Sequence, residues 1–405
     1  MPKHKFLRRI TAALLLLGAL CGGTVVALRS ALPDTFTVET GQPLTIASLR
    51  FLTVQPVSLQ GETAPAGSPA PDSSQNQVVT LLGIPIKTVR TVSETRREVS
   101  VCGTPFGIKM FSDGALVVAF SDLHTDLGTE NPAKEAGLRL GDLIISAGGQ
   151  RVRNNEELTA AITAADGQAI PVVYRRGDTE YTCTLTPVLD RDAGVLRAGV
   201  WVRDSSAGIG TLTFTNPANG TFAGLGHAIS DSDTGADLTL LSGEIVPVVI
   251  TGCQKGSPGA PGELKGKFAG EQTLGVVSAN ETTGVYGRLS AAVDGTQMPV
   301  ANPQEIELGE AEILTTVSGT EPRRYTIRIE RVNMTADDPN RNLQIRVTDP
   351  DLLAATGGIV QGLSGSPILQ NDRLVGAVTH VLVNDPTRGY GIFATTMLQK
   401  ADSLA

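Results

Sequence analysis

The 405-residue chain is poor in the side chains that build metal and acid–base centres. It has four histidines and four cysteines, and no Cys-x-x-Cys or His-x-x-x-His spacing. No metal and no cofactor is expected from such a set. There is no long basic run after residue 29 and the net charge is −8, which leaves no electrostatic basis for a nucleic-acid partner. Aromatic residues make up only 4%. Helical apolar periodicity is nearly absent from the last two hundred residues, apart from Thr395 to Leu404. What the chain does have is glycine, 45 residues of it, among many Val, Thr and Ile. That is the composition of a mainly β protein with many turns.

One long uncharged run exists, Ile10 to Leu28, and it follows Lys3, Lys5, Arg8 and Arg9. Its length suits a membrane span, and the preceding charge predicts a cytoplasmic N-terminus. Residues 1–29 are therefore expected to be a cytoplasmic tail and uncleaved signal-anchor. A cleaved signal peptide has the same layout. Either way the rest of the chain is exported, as a single-pass membrane protein or its released form. Residues 30–99 form an extended region containing a Pro/Ala/Ser-rich linker, residues 60–77.

Residues 100–187 have their own grammar. A short helix near Asn131-Pro132 stops at Gly137, and Gly141-Asp142 turns into a strand. A helix over Asn155 to Ala164 follows, capped by Asn154 or Asn155, and a hairpin turns at Arg176-Gly177-Asp178. This order resembles a PDZ domain. By that resemblance Phe106, Gly107 and Ile108 form the loop that captures a peptide carboxylate. The chain's own N-terminal region is a candidate occupant of the groove. Cys102 and Cys183 flank this unit; unpaired thiols are the plain expectation and a disulfide the sharper one. Residues 192–405 read as about ten short strands, which suggests a pair of closed antiparallel barrels or a large sandwich.

The chemistry centres on Gly362-Leu363-Ser364-Gly365-Ser366-Pro367. Glycines on both sides of Ser364 allow a tight turn and free the Gly362 and Ser364 N–H groups to face an oxyanion. Ser364 is preferred to Ser366 as nucleophile. Its general base is sought among very few histidines. His4 lies on the wrong side of the expected anchor. His227, in Gly226-His227-Ala228, is preferred to His380, which alternates with Val378 and Leu382 on a strand. The acid that orients the imidazole is open among Asp349, Asp351, Asp231, Asp233 and Asp294, with Asp349 favoured at a strand end. Asp233-Thr234-Gly235 lacks the second copy that an aspartic-protease dyad requires.

Taken together, the PDZ-like unit, Gly226 to Asp231, Gly357 to Ile368 and Gly376 to Pro386 resemble the stage IV sporulation protein B family. Members are serine peptidases of endospore-forming bacteria, related to the chymotrypsin-like fold. They act between the two membranes around the forespore. They cleave themselves and then cut a membrane-bound regulator of an intramembrane protease, which leads to late sigma-factor activation. The resemblance implies a chymotrypsin-like double β-barrel after the PDZ unit and a triad of His227, Asp349 and Ser364. Self-cleavage is expected within residues 30–100. Two other functions compete: a non-catalytic PDZ adaptor on a protease-like barrel, and a heat-shock-type quality-control protease. The latter carries its domains in the opposite order.

Overall fold

The computed structural model describes residues 22–56, 74–230, 234–235, 240–270 and 272–404. The first sheet contains β1 (Thr35–Glu39), β2 (Leu52–Pro56), β3 (Ser74–Leu81) and β4 (Ile84–Glu94). The strand order is β1-β4-β3-β2, with β1 parallel to β4. Phe36, Val38, Val79, Ile86 and Val89 form its buried core. The stretch expected as an interdomain linker falls inside this sheet. β2 and β3 pair directly, from Leu52 opposite Leu81 to Pro56 opposite Gln77, and residues 57–73 lie outside those described.

The expected membrane anchor is not supported. Among the described residues no helix is long and apolar enough to cross a membrane. Residues 10–21 of the apolar run lie outside the described residues. The rest continues as helix over residues 22–31, and Leu28 and Leu32 pack into the core of the N-terminal sheet. Protein, not lipid, covers these side chains. The single-pass placement expected from the sequence is therefore not retained.

The next strands build a barrel: β5 (Pro105–Phe120), β6 (Val200–Asn216), β7 (Thr221–Gly224), β8 (Leu240–Gln254), β9 (Gly275–Glu281) and β10 (Gly284–Leu289). Antiparallel pairings β5–β8, β8–β9, β9–β10, β10–β7, β7–β6 and β6–β5 run round a closed ring. Phe106, Ile108, Leu212, Phe222 and Ile245 fill it.

Between β5 and β6 the chain makes a second unit with the order read from the sequence. Asn131 caps the short turn Pro132–Glu135, and Asn154 caps α1 (Asn155–Ala164), which buries Leu158 and Ile162. Ile170–Arg176 pairs with Thr179–Leu185. The boundary strands are shared with the barrel, however. On β5, residues 105–112 pair with β8, whereas Ala115 and Leu116 pair with Leu143–Ala147 of the PDZ-like unit. On β6, Val200–Arg203 pairs with the module's part of β5 and Ser205–Thr211 with the barrel's part, with a register slip between. Gly114 marks the crossover; a Cβ there would lie 2.6 Å from Ile144 O. The PDZ-like unit is thus inserted into the barrel, and the sequence-based spans 100–187 and 192–405 interleave. Cys102 lies in the barrel core and Cys183 on the module's hairpin, and both are free thiols.

A second closed barrel follows: β11 (Gly309–Thr315), β12 (Arg323–Val332), β13 (Leu343–Val347), β14 (Pro367–Gln370), β15 (Arg373–Leu382) and β16 (Asp385–Phe393). Its order is β11-β12-β13-β16-β15-β14. Alternation turns Ile327, Ile329, Leu343 and Ile345 inward, while Arg346 outside donates to Glu330 at 2.7 Å. Helix α2 (Pro350–Thr356) links β13 to the serine turn. The C-terminal helix α3 (Ala394–Ser403) joins the barrels. Its Met397, Leu398 and Ala401 share a core with Phe214 and Tyr286 of the first barrel and Leu369, Leu374 and Ile392 of the second. Each large apolar side chain buried there contributes about 1.5–3 kcal/mol.

Arg96 ties the N-terminal sheet to the second barrel. It donates to Glu39 at 2.8 Å, to both Glu305 oxygens at 2.7 and 2.8 Å, and to Val300 O at 3.1 Å. Burial alone would raise the Glu305 carboxyl, but its bonds with Arg96 and the Asn302 N–H hold it below the ordinary value of 4.5. Arg96→Met is expected to cost about 2 kcal/mol, since charged hydrogen bonds are lost. Chemical denaturation checks the loss, and limited proteolysis should show β1 and β4 cut sooner. The lowered Glu305 pKa stabilises the parent above the unfolded value, so its contribution should fade as pH falls below about 4.5. The Arg96→Met variant should lack that acid-dependent step.

Candidate active site

The serine turn runs from the left-handed cap Gly357 through Ile359–Gly362 to Ser364 and into β14. Gly365 has φ 89°, and any Cβ there would fall on Thr211 O and Leu225 N. Only glycine lets the turn approach the first barrel so closely. That approach is then fixed by three bonds from β6. Thr211 N donates to Ser364 O at 3.0 Å, Thr211 Oγ1 to Gly362 O at 2.9 Å, and Thr213 Oγ1 to Gly365 O at 2.7 Å. Both threonines are buried. Gly365 N is used by Val378 O, whereas the N–H groups of Gly362 and Ser364 have no partner among the described residues. Ser366 is fully buried and donates to Leu363 O at 2.6 Å, a bond that braces the turn and withdraws its hydroxyl from chemistry.

His227 follows β7 through Leu225 and Gly226, both at positive φ. Leu225 N donates to Thr211 O, so the same threonine anchors the histidine arm and the serine turn. His227 Nδ1 lies 2.7 Å from Ala228 O. A carbonyl oxygen only accepts, so Nδ1 carries the proton and Nε2 is the basic nitrogen of the neutral ring. Asn280 on β9 clamps the next residue: Ile229 N donates to its Oδ1 at 2.8 Å and its Nδ2 donates to Ile229 O at 3.0 Å.

Ser364 and His227 line one cavity of about 610 Å³ between the barrels, together with Gly362, Thr379 and His380. The Ser364 hydroxyl donates to Thr379 O at 2.8 Å, not to His227. The His380 ring lies 4.8 Å from that of His227, tilted by 34°. Burial, and then the charge of His227, lower the pKa of His380 to about 4, so this ring is neutral near pH 7.

Asp349 does not join them. It is the N-cap of α2: Oδ1 accepts from Asp351 N and Leu352 N at 3.0 Å, and Oδ2 accepts from Thr326 N at 3.2 Å. Both oxygens serve backbone groups, and the residue does not line the serine cavity. The acid expected at His227 is thus a helix cap in this structure. Asp351 lies exposed in the first turn of the same helix, Asp294 is exposed on the first barrel, and Asp231 and Asp233 fall outside the described residues.

Residues 194–398, about half the chain, match the family described as SpoIVB peptidase S55. The chain belongs to the SpoIVB peptidase S55 family. The matched span holds Ser364, His227 and every barrel strand except β5, which the inserted module separates from the rest. Among curated proteins, serine protease HTRA1 of Xenopus tropicalis is 40% identical over 58 residues, 14% of this chain and 12% of that protein. A putative zinc metalloprotease of Bartonella henselae is 37% identical over 91 residues, 22% of this chain and 25% of that protein. The chain thus covers a quarter or less of the length of these relatives. The solved PDZ domain of the SdrC-like protein of Listeria monocytogenes aligns with 22% of this chain and 87% of its own, at 22% identity and a TM-score of 0.18. The Rv3671c protease of M. tuberculosis, in an inactive form, aligns with 49% and 84%, at 14% identity and a TM-score of 0.29. The fold assignment rests on the strand pairings.

In this SpoIVB-family chain, Phe106, Gly107 and Ile108 are not a peptide-capturing loop. They lie mid-strand on β5, paired with Gly208–Gly210 on one side and Ile245–Pro247 on the other, and Phe106 and Ile108 are buried. No backbone edge is open there. One open edge of the module is Val200–Val202 of β6, which pairs with β5 on one side only; the other is Thr179–Leu185. The β6 edge faces Leu158 and Ile162 of α1 across a cavity of about 410 Å³. The signal in the sequence was Ala198-Gly199-Val200, an apolar-Gly-apolar turn before an alternating strand. Thr211, Thr213, Thr379 and Asn280 were also missed. They are ordinary strand residues whose importance comes from contacts across the barrels.

Two variants probe this wiring. Thr211→Val leaves Gly362 O without its donor and is expected to cost about 1–3 kcal/mol of stability. Peptide-bond hydrolysis should fall with it, and Thr211→Ser should restore both in denaturation and activity assays. For Asp349, a capping role predicts that Asp349→Asn keeps near-parental stability, while Asp349→Ala loses about 1 kcal/mol. Activity of Asp349→Asn within a few-fold of the parent supports the cap. A collapse of kcat with unchanged stability would instead return Asp349 to the base.

Proposed function

We propose that the chain is a serine endopeptidase with Ser364 as nucleophile and His227 as general base, acting on a protein substrate engaged by the PDZ-like module. The observation that carries this reading is the meeting of the two side chains in one cleft, one from each barrel, with two unspent N–H groups beside the hydroxyl. Ser364 Oγ attacks the scissile carbonyl while its proton passes to His227 Nε2. The Gly362 and Ser364 N–H groups take the oxyanion. His227 returns the proton to the leaving amine, and a water repeats the steps to free the acyl product. Reaching this geometry needs the hydroxyl proton to leave Thr379 O for Nε2.

Family membership supports a role in sporulation signalling. In that role the substrate is a membrane-bound regulator of an intramembrane protease, late sigma-factor activation follows, and the enzyme also cleaves itself. We place peptide addition at the Val200–Val202 edge, where a strand has backbone partners and α1 offers apolar contacts. The chain's own N-terminal region is the proposed internal substrate or ligand.

A second reading, a non-catalytic adaptor, is favoured by the Ser364 hydroxyl bonding to Thr379 O instead of His227. Purified full-length protein decides between them. Reaction of Ser364 with a fluorophosphonate, and self-cleavage lost in both Ser364→Ala and His227→Ala, is expected for the peptidase. Each substitution should lower kcat by at least about a thousandfold. A folded parent protein that neither labels nor cuts would favour the adaptor.

A further inference from the structure

One wall of the serine cavity is mostly aliphatic. Two segments meet there: Ile359–Gly362, leading into the serine turn, and His380–Val383, at the end of β15. The backbone of the first segment is braced. Ile359 N donates to Pro386 O at 2.7 Å, Gln361 N to Gly262 O at 2.8 Å, and Leu264 N to Gln361 O at 2.9 Å. Ile359, Val360, Val381, Val383 and Pro261 supply its apolar lining. Among the described residues no Asp, Glu, Lys or Arg lines the cavity.

The path of the proton says which half of a substrate meets this wall. His227 must hand its proton to the leaving amine, so the amine half passes His227 and the residues after it. The carbonyl oxygen points to the Gly362 and Ser364 N–H groups. The acyl half therefore extends over the segments flanking Ser364. We infer that this wall receives the side chain on the acyl side of the scissile bond and selects an uncharged aliphatic one, such as valine, leucine or isoleucine. The inference rests on the peptidase reading above. A charged side chain would be desolvated against aliphatic groups with no counter-ion in the described lining.

The test uses full-length protein and a peptide mixture presenting every residue type before the cut, read by mass spectrometry. Cleavage after Val, Leu or Ile is expected at least about tenfold faster than after Lys, Arg, Asp or Glu. Val383 is 48% exposed, so Val383→Asp should fold. That variant should raise cutting after Lys and Arg relative to Val by about fivefold, the worth of one partly exposed charge pair. Val381→Asp, deeper in the wall, should do the same. Equal cutting after charged residues by the parent, or an unchanged ratio in both variants, overturns the inference. Labelling of Ser364 by a fluorophosphonate separates the two levels. A labelled enzyme that ignores aliphatic sites refutes only the wall. A protein that neither labels nor cuts refutes the peptidase reading, and the wall with it.

Discussion

Everything at this site hangs on Thr211. Its N–H and hydroxyl hold Ser364 O and Gly362 O, and its own carbonyl accepts from Leu225 N, two residues before His227. One buried residue of the first barrel thus sets the position of both reacting arms. Hydrogen bonds of this kind are individually modest, about 1 kcal/mol net. Their weight lies in what happens when one is missing, because a buried carbonyl is then left dry. The glycine at 365 is the other half of the arrangement, since without it the barrels stand too far apart for those bonds to form.

The inserted module follows from the same strands. β5 and β6 are each about three times the length of an ordinary strand, and each serves two sheets in succession. The register slips at the crossover, and Gly114 takes the bend. The edge proposed to accept a peptide and the threonine that holds the serine turn therefore lie on one strand, β6. Sharing strands also explains why the family match begins at residue 194 although the barrel begins earlier.

Local chemistry was legible in the sequence, and long-range pairing was not. The caps at Asn131 and Asn154, the hairpin at Gly177-Asp178 and the serine turn are short-range decisions made by residue type. Phe106-Gly107-Ile108 misled because apolar-Gly-apolar is equally good as a ligand loop and as a barrel strand; only its partners on β8 decide. The apolar run at the N-terminus misled for a related reason. Leu28, at its end, and Leu32 beyond it fit a protein core as well as lipid, and here they pack into the N-terminal sheet. Asp349 shows the limit most sharply. Asp-Pro at the end of a strand is also an N-cap followed by proline at the first helical position, and here that local role uses both carboxylate oxygens.

Asp349 caps α2, and the base has a main-chain partner in Ala228 O, which bears on the electrostatics of the reaction. Ala228 O selects the tautomer of His227 without adding charge. The imidazolium formed during attack needs surroundings that at least do not oppose it. His380 is the group best placed to do so, with its ring 4.8 Å away. Two imidazolium ions at that separation would repel by on the order of 3 kcal/mol at an effective dielectric constant near 20. Burial keeps His380 neutral at working pH, so the proton taken from Ser364 meets no charge on that ring. Burial in one cleft underlies both the apolar wall that seats a substrate's aliphatic side chain and the neutrality of His380, so the second ring adds no charge of its own to those the reaction makes.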